Sequence, residues 1–302
     1  MKRAVVLLNG KAGNNYGKRN AFRIIEKLNA EGYATLVVPV GSKNDVNVEE
    51  ILKNHELTID VVVCVGGDGT LHHTINHVIN GVGGKTPILY LPCGTTNDFA
   101  RSLGIEVSLE SSRTLVSDNE LYLDAGLFNQ EYFTYVAGFG ALTEVSYSTS
   151  QDVKNVLGYT AYTLNSISSL PSGLSTKIKA VIDGDDFHEE GEYLYGSVSN
   201  CYSIAGIQTP LLKDVELDDG LFEVALIKAP KNISELMDIA HVLVTGELNS
   251  KQNRFVRIFH TTHVSFTFEE NVEWTLDGEF GGETTYADIS VKQKQIHLIR
   301  PL

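Results

Sequence analysis

Val61-Val62-Val63-Cys64-Val65-Gly66-Gly67-Asp68-Gly69-Thr70 decides the fold of this chain. Five consecutive apolar residues, mostly β-branched, specify a strand buried on both faces, the pattern of a central parallel strand. Glycines at 66, 67 and 69 then permit positive φ angles and close backbone approach. Thr70 is placed to cap a helix from Leu71 to about Asn80, with Gly81 closing it. A strand, a glycine turn and a helix N-terminus make an anion site, because free N–H groups and the positive end of the helix dipole face the ligand. Asp68 cannot itself favour a phosphate, so its presence calls for a metal or for a proton to be handled.

The same grammar recurs downstream. Pro87-Ile88-Leu89-Tyr90-Leu91 reads as a second buried strand, followed by Pro92-Cys93-Gly94-Thr95-Thr96-Asn97-Asp98 and a helix start at Phe99-Ala100-Arg101. In a parallel sheet both loops lie at the C-terminal edge of their strands. Upstream, Met1 to Leu8 is a strand whose apolar run is too short for a signal peptide. It feeds the loop Asn9-Gly10-Lys11-Ala12-Gly13 and a helix from about Lys18 to Ala30. Tyr33 to Val40 is another strand, Gly41 to Asp45 a turn, and Val48 to His55 a helix. This alternation through residue 104 describes an open, mostly parallel α/β sheet, and the chain carries no Walker-type phosphate loop.

From Leu121 the texture changes to short alternating runs: Tyr122 to Gly126, Tyr132 to Val136, Thr176 to Ile182, Tyr193 to Ser199, Leu221 to Ile227, His263 to Phe268 and Asp288 to Ile299. These read as antiparallel β structure, so residues 1–124 and 125–302 are the expected domains. Within the second, Val153 to Leu170 reads as a helix, and Ile233, Leu236, Met237, Ala240, Leu243 and Val244 form a helical stripe read as core-facing. Gly138-Phe139-Gly140 is read as a β connection.

Against 24 lysines and arginines the 302 residues carry 38 acidic side chains, a net charge of −14 that speaks against nucleic-acid partners. Three cysteines without C-x-x-C spacing fit a reducing cytoplasm. No run approaches the roughly 20 apolar residues that span a bilayer, so a lipid substrate would be met from outside the membrane. His73 and His77, four apart, share a helical face, but no third ligand or H-E-x-x-H glutamate accompanies them.

Gly66-Gly67-Asp68-Gly69-Thr70 together with P-x-G-T-x-N-D-F-A-R at Pro92 to Arg101 resembles the diacylglycerol kinase catalytic domain family of ATP-dependent lipid kinases. The first motif alone is shared with NAD kinases and is similar to one in phosphofructokinases; the pair selects the lipid family. The resemblance implies an α/β plus β fold: an open α/β sheet domain like that of NAD kinase and phosphofructokinase, followed by a largely antiparallel β-sandwich. It implies ATP and Mg²⁺, with nucleotide contacts at Asn9, Gly10, Lys11, Ala12, Gly13, Val40, Gly66, Gly67, Asp68, Gly69, Thr70, Leu71, His72, Gly94, Thr95 and Asn97. Asp68 and Asp98 would organise the chemistry, and Glu279 in Leu276-Asp277-Gly278-Glu279 would be the general base in an interdomain cleft, although Asp-Gly is also a strong hairpin signal. Leu217-Asp218-Asp219-Gly220-Leu221 implies a structural Mg²⁺ held by Glu216, Asp219 and Leu221.

The chain departs from the family at Gly10 and Ala12, where Pro and Ser are usual, at Val40, where threonine is frequent, and at His72-His73, where Asn-Glu is typical. The expected activity is phosphorylation of diacylglycerol to phosphatidic acid by a cytoplasmic enzyme peripheral at the membrane, with a homodimer left open. A kinase for another lipid, sphingoid or phosphatidylglycerol-like, would keep every motif. NAD kinase would share only the first, and the departures favour a non-catalytic nucleotide-binding regulator.

Overall fold

The computed structural model describes residues 1–41, 46–54, 58–95, 97–105, 109, 114–140, 177–201, 203–204, 207–208, 210–212, 215–247 and 254–301. The helix expected over 153–170 lies outside them, as do Ser42 and Thr96. Two compact units emerge: Met1–Ala125 with Gln293–Leu302, and Gly126–Lys292.

The first unit runs β1 (Lys2–Asn9), α1 (Ala12–Ala30), β2 (Tyr33–Val40), α2 (Val48–Lys53), β3 (Val61–Gly66), α3 (Asp68–Val82), β4 (Ile88–Pro92) and α4 (Asp98–Ser102). Its strands pair in parallel in the order β4-β3-β1-β2, with Val5 of β1 between Leu36 of β2 and Val62 of β3. All of β3 is buried, as a strand flanked on both sides and covered on both faces must be. Val6, Val63 and Leu89 pack there with Ile24 and Leu28 of α1. The C-terminal residues, grouped by sequence with the β-rich half, belong here instead. Leu298 and Ile299 pair in parallel with Ile88 and Leu89 of β4, which buries a stretch that would otherwise leave an apolar edge open.

Connectivity reverses between β1 and β3: the chain leaves β1 toward β2 on one side and continues from β3 to β4 on the other. In open α/β sheets the crevice beyond the strand ends at such a reversal is where ligands bind. Three boundaries differ from the sequence reading. Helix α1 starts at Ala12 rather than near Lys18, its polar and glycine-rich first turns having hidden the apolar period. Helix α3 starts at Asp68 with Gly67 as N-cap, so Thr70 lies inside its first turn. Its end is made by Gly83 in the left-handed conformation (φ 71°), not by Gly81. Gly81 serves packing: a Cβ there would stand 2.9 Å from Leu52 of α2.

The second unit takes up the end of β5 (Glu120–Phe128), then β6 (Glu131–Phe133), β7 (Val136–Gly140), β8 (Ile178–Gly184), β9 (His188–Ser199), the short pair β10 (Ser203–Ile204) and β11 (Ile207–Gln208), β12 (Phe222–Lys228), α5 (Ile233–Thr245), β13 (Val256–Thr261), β14 (His263–Leu276) and most of β15 (Glu279–Ile299). Its pairings are antiparallel. The pairings of β7, β8, β9 and β14 close into a ring. Strands β9 and β14, 12 and 14 residues long, each pair with β7 at one end and β8 at the other. Inside the fold Trp274 packs on Phe128 and Phe139, both with ring centroids 4.9 Å away, and on Phe266 at 5.3 Å. Gly138-Phe139-Gly140 is thus a strand segment rather than a connection. On α5, Leu236, Ala240 and Leu243 face the core with Ile239 and Val242, while Met237 and Val244 are exposed. No helix among the described residues is long and apolar enough to cross a membrane.

Burial raises the Cys64 thiol to about 12 and the Cys93 thiol to about 11. Desolvation disfavours the thiolate, the reactive form, so both thiols stay protonated at pH 8. Native protein at that pH should therefore resist aromatic-disulfide reagents at all three buried cysteines and titrate three thiols once denatured. Rapid native modification of Cys64 or Cys93 would contradict this burial.

Candidate functional site

In the first unit, the loops after β1, β3 and β4 come together because nothing larger than glycine stands between them. A Cβ on Gly94 would lie 2.5 Å from the Gly67 Cα, and one on Gly13 would lie 1.7 Å from the Cys93 carbonyl oxygen. Gly66 likewise has no room, since its Cβ would fall 2.3 Å from that of Thr70. Only Gly13 of these uses the left-handed region (φ 53°). The glycines at 66 and 67 serve close approach, whereas the sequence reading had also allowed them positive φ.

Polar side chains tie the three loops. Asn9 donates from Nδ2 to Thr70 Oγ1 at 3.0 Å and accepts from the Lys11 N–H at 3.1 Å, joining the first loop to the helix after the second. It also packs on Gly41, next to Val40 at the end of β2, its own partner in register. Asn97, with φ 50°, accepts from the Gly94 N–H at 2.8 Å and donates to the Gly94 carbonyl at 3.1 Å, which braces the third loop. Asp68 Oδ1 accepts from the Phe99 N–H at 3.3 Å, so the second loop is pinned to the start of α4. Behind it, burial pushes the Tyr90 phenol far above its usual range, and the charge of Asp68 adds to that shift.

Neither N-cap residue, Gly67 for α3 or Lys11 for α1, makes a side-chain capping bond. Both helices start directly after neighbouring parallel strands, β1 and β3, and a helix start at a strand end is the usual place for a phosphate group. Gly10, Lys11, Ala12, Gly13, Gly66, Gly67, Gly69, Thr70, Gly94, Thr95 and Asn97 all lie on these strand ends, loops and first helical turns. Leu71 and His72, in the first turns of α3, are each 1% exposed. Asp98 opens α4 directly after the Asn97 brace. His77 faces Glu49 of α2 at 3.5 Å, while His73 lies against the His72 ring.

Glu279 belongs to the second unit. Asp277 (φ 52°) and Gly278 (φ 84°) form a two-residue turn with both central residues at positive φ, closed by the pair Leu276 and Glu279. Glu279 is exposed as the first residue of β15. What sequence reasoning missed is Asp277: it is 3% exposed and its carboxylate accepts three backbone N–H groups, from Thr134 at 2.7 Å, Tyr135 at 2.9 Å and Val136 at 3.2 Å. An Asp-Gly turn signal carries no mark of which partner its aspartate will find 142 residues away.

The third segment of interest, Glu216 to Leu221, turns at Gly220 (φ 83°), and Asp219 Oδ1 accepts from the Leu221 N–H at 2.9 Å. Asp219 and Glu216 are exposed, and all donors are oxygens, which suits a hard cation. Among the described residues no group of three or more His, Cys, Asp and Glu is arranged to hold a metal, so a cation here would depend on backbone carbonyls. Burial raises the neighbouring Glu223 carboxyl to about 7, with the Asp219 charge contributing.

Because Gly67 and Gly94 touch, the site tolerates no added methyl. Gly94→Ala should destabilise the protein by about 1–3 kcal/mol and raise the KM for nucleotide, read by denaturant unfolding and steady-state kinetics. Unchanged stability would show that the loops can part without cost.

The catalytic-domain model of diacylglycerol kinases matches residues 3–126. A diacylglycerol kinase of Bacillus subtilis is 31% identical over all of this chain and 97% of its own length. One from Staphylococcus saprophyticus is 30% identical over 97% of the chain and 93% of the relative. A crystal structure of a diacylglycerol kinase from Bacillus anthracis superposes with a TM-score of 0.69 at 19% identity, covering 99% of this chain and 96% of that one, and supports the fold. The chain belongs to the diacylglycerol kinase family of lipid kinases.

Proposed function

We propose that this lipid kinase transfers the γ-phosphoryl group of ATP to the free hydroxyl of diacylglycerol, giving phosphatidic acid and ADP. The observation that carries the reading is the packing of three strand-end loops at the topological reversal, with the starts of α1 and α3 and the Asp68 carboxylate among them. The N–H groups of Gly67 to Thr70 and of the first turn of α1 suit the phosphate oxygens. Asp68 and Asp98 suit the cation that accompanies ATP, and Mg²⁺ there would offset the charge of the transferring group.

A lipid hydroxyl is a weak nucleophile at neutral pH. In the proposed step its proton passes to the Glu279 carboxylate as the new O–P bond forms and the bond to the β-phosphate oxygen breaks. Glu279→Gln keeps the shape and removes the base. Turnover on the best lipid should fall about 10²- to 10⁴-fold, with nucleotide affinity little changed. Radiolabelled ATP with a panel of lipids in mixed micelles, read after lipid extraction, tests both points. Retention of more than about a tenth of turnover by the variant would remove Glu279 as the proton acceptor, and preference for a sphingoid or phosphatidylglycerol-like lipid would replace the substrate.

The Glu216 and Leu221 carbonyls with the Asp219 carboxylate are proposed to hold a second, structural Mg²⁺, which would tie the turn to the start of β12. Asp219→Ala should then lower the melting temperature, and EDTA should lower that of the wild type but not of the variant. Equal melting in all four conditions would exclude the site.

A further inference from the structure

We propose that Asp277 is a positioning residue for the reaction, fixing through its buried carboxylate the attitude at which the β14–β15 turn presents Glu279. The inference rests on the reading of Glu279 as proton acceptor and adds a residue that acts through it. Two-residue turns with positive φ at both positions form readily without help, since Asp-Gly is among their preferred sequences. Register alone would therefore have been satisfied by Leu276 and Glu279. The chain adds much more. Asp277 Oδ2 takes the Thr134 N–H, Oδ1 takes those of Tyr135 and Val136, the Tyr135 hydroxyl donates to the Asp277 carbonyl at 3.0 Å, and the Asp277 N–H donates to the Val136 carbonyl at 2.8 Å.

These bonds hold the turn at the segment that opens β7, and they bracket the residue two before Glu279. Such a carboxylate is shielded from water, so each of its bonds is stronger than at a surface. A tip anchored in this way cannot rock about its strands. A proton acceptor needs that rigidity, because a misplacement of about 1 Å can cost on the order of 10² in rate.

Asp277→Asn is the direct test. The amide keeps one acceptor oxygen but sets an N–H₂ group against a backbone N–H whichever way it turns, so one or two of the three bonds are lost. In the full chain, kcat should fall about 10- to 100-fold with KM for ATP within about twofold of wild type. The double variant Asp277→Asn/Glu279→Gln should be no slower than Glu279→Gln alone, because a residue that acts through Glu279 has nothing left to position. A residue needed only for folding would instead lower the active fraction, and its effect would multiply with that of Glu279→Gln.

Should Asp277→Asn fail to fold, Tyr135→Phe removes a single bond to the same turn and is expected to lower kcat several-fold in the wild-type background and not at all beside Glu279→Gln. Wild-type kcat in Asp277→Asn, or in Tyr135→Phe where that is the variant measured, alongside a disabled Glu279→Gln, overturns the inference and leaves the proton-acceptor reading standing. Wild-type turnover in Glu279→Gln overturns both.

Discussion

The absence of two side chains, at Gly67 and Gly94, is the constraint on which the first unit's site depends. With the Gly94 Cβ position only 2.5 Å from the Gly67 Cα, the loops after β3 and β4 meet backbone to backbone, and any larger residue would hold them apart. Once they touch, the short bonds follow. Phe99 N–H can reach Asp68, and the Cys93 N–H reaches the Gly66 carbonyl at 2.8 Å. Parallel pairing of β3 with β4 up to Gly66 and Pro92 brings the loops to the same level. The sheet sets the height and the glycines set the spacing.

The second unit solves a different problem. In the role proposed for it, Glu279 would have to be held at one attitude, and an exposed glutamate on a turn is mobile by default. Here the turn is fastened to a neighbouring strand of the same unit. Trp274 and Leu276, just before the turn, are buried in the aromatic core, and Asp277 is fastened to the segment that begins β7. The apolar core fixes where β14 ends, and one buried carboxylate fixes how the chain leaves it.

Much of this was legible in the sequence because it is local. The β-branched run at 61–65, the two Gly/Thr loops and the Asp-Gly turn announce themselves within ten residues, and strands β2 and β3 fall where periodicity puts them. What stayed hidden is non-local or masked by composition. Helix α1 opens with Ala-Gly-Asn-Asn, a sequence that reads as loop, yet it is helical from Ala12, and Gly17 lets it pass close to the Asn9 carbonyl. Met237 looks like part of an apolar stripe but is 58% exposed, since the stripe's centre is set by β-sheet neighbours that no helical wheel contains. The last residues continue an alternating β pattern while changing units, and only the parallel pairing with β4 reveals it.

The departures of the first loop acquire a physical meaning in this light. Gly10 and Ala12 stand where the family carries a stiffening proline and a hydroxyl, which on sequence grounds leaves the loop slack. In the structure the stiffness comes from Asn9. Its amide spans from the Lys11 N–H to the Thr70 hydroxyl and packs on Gly41, so one side chain braces the ends of β1 and β2 and the first turn of α3. Ala12 is already the first residue of α1. His72 fits the same logic: it is 1% exposed, and a buried side chain leaves the proposed phosphate-facing groups of α3 to the backbone. The phosphate cradle proposed for these loops would be made of N–H groups and so indifferent to side-chain identity as long as the loop geometry is kept, and Asn9 and the glycines hold that geometry.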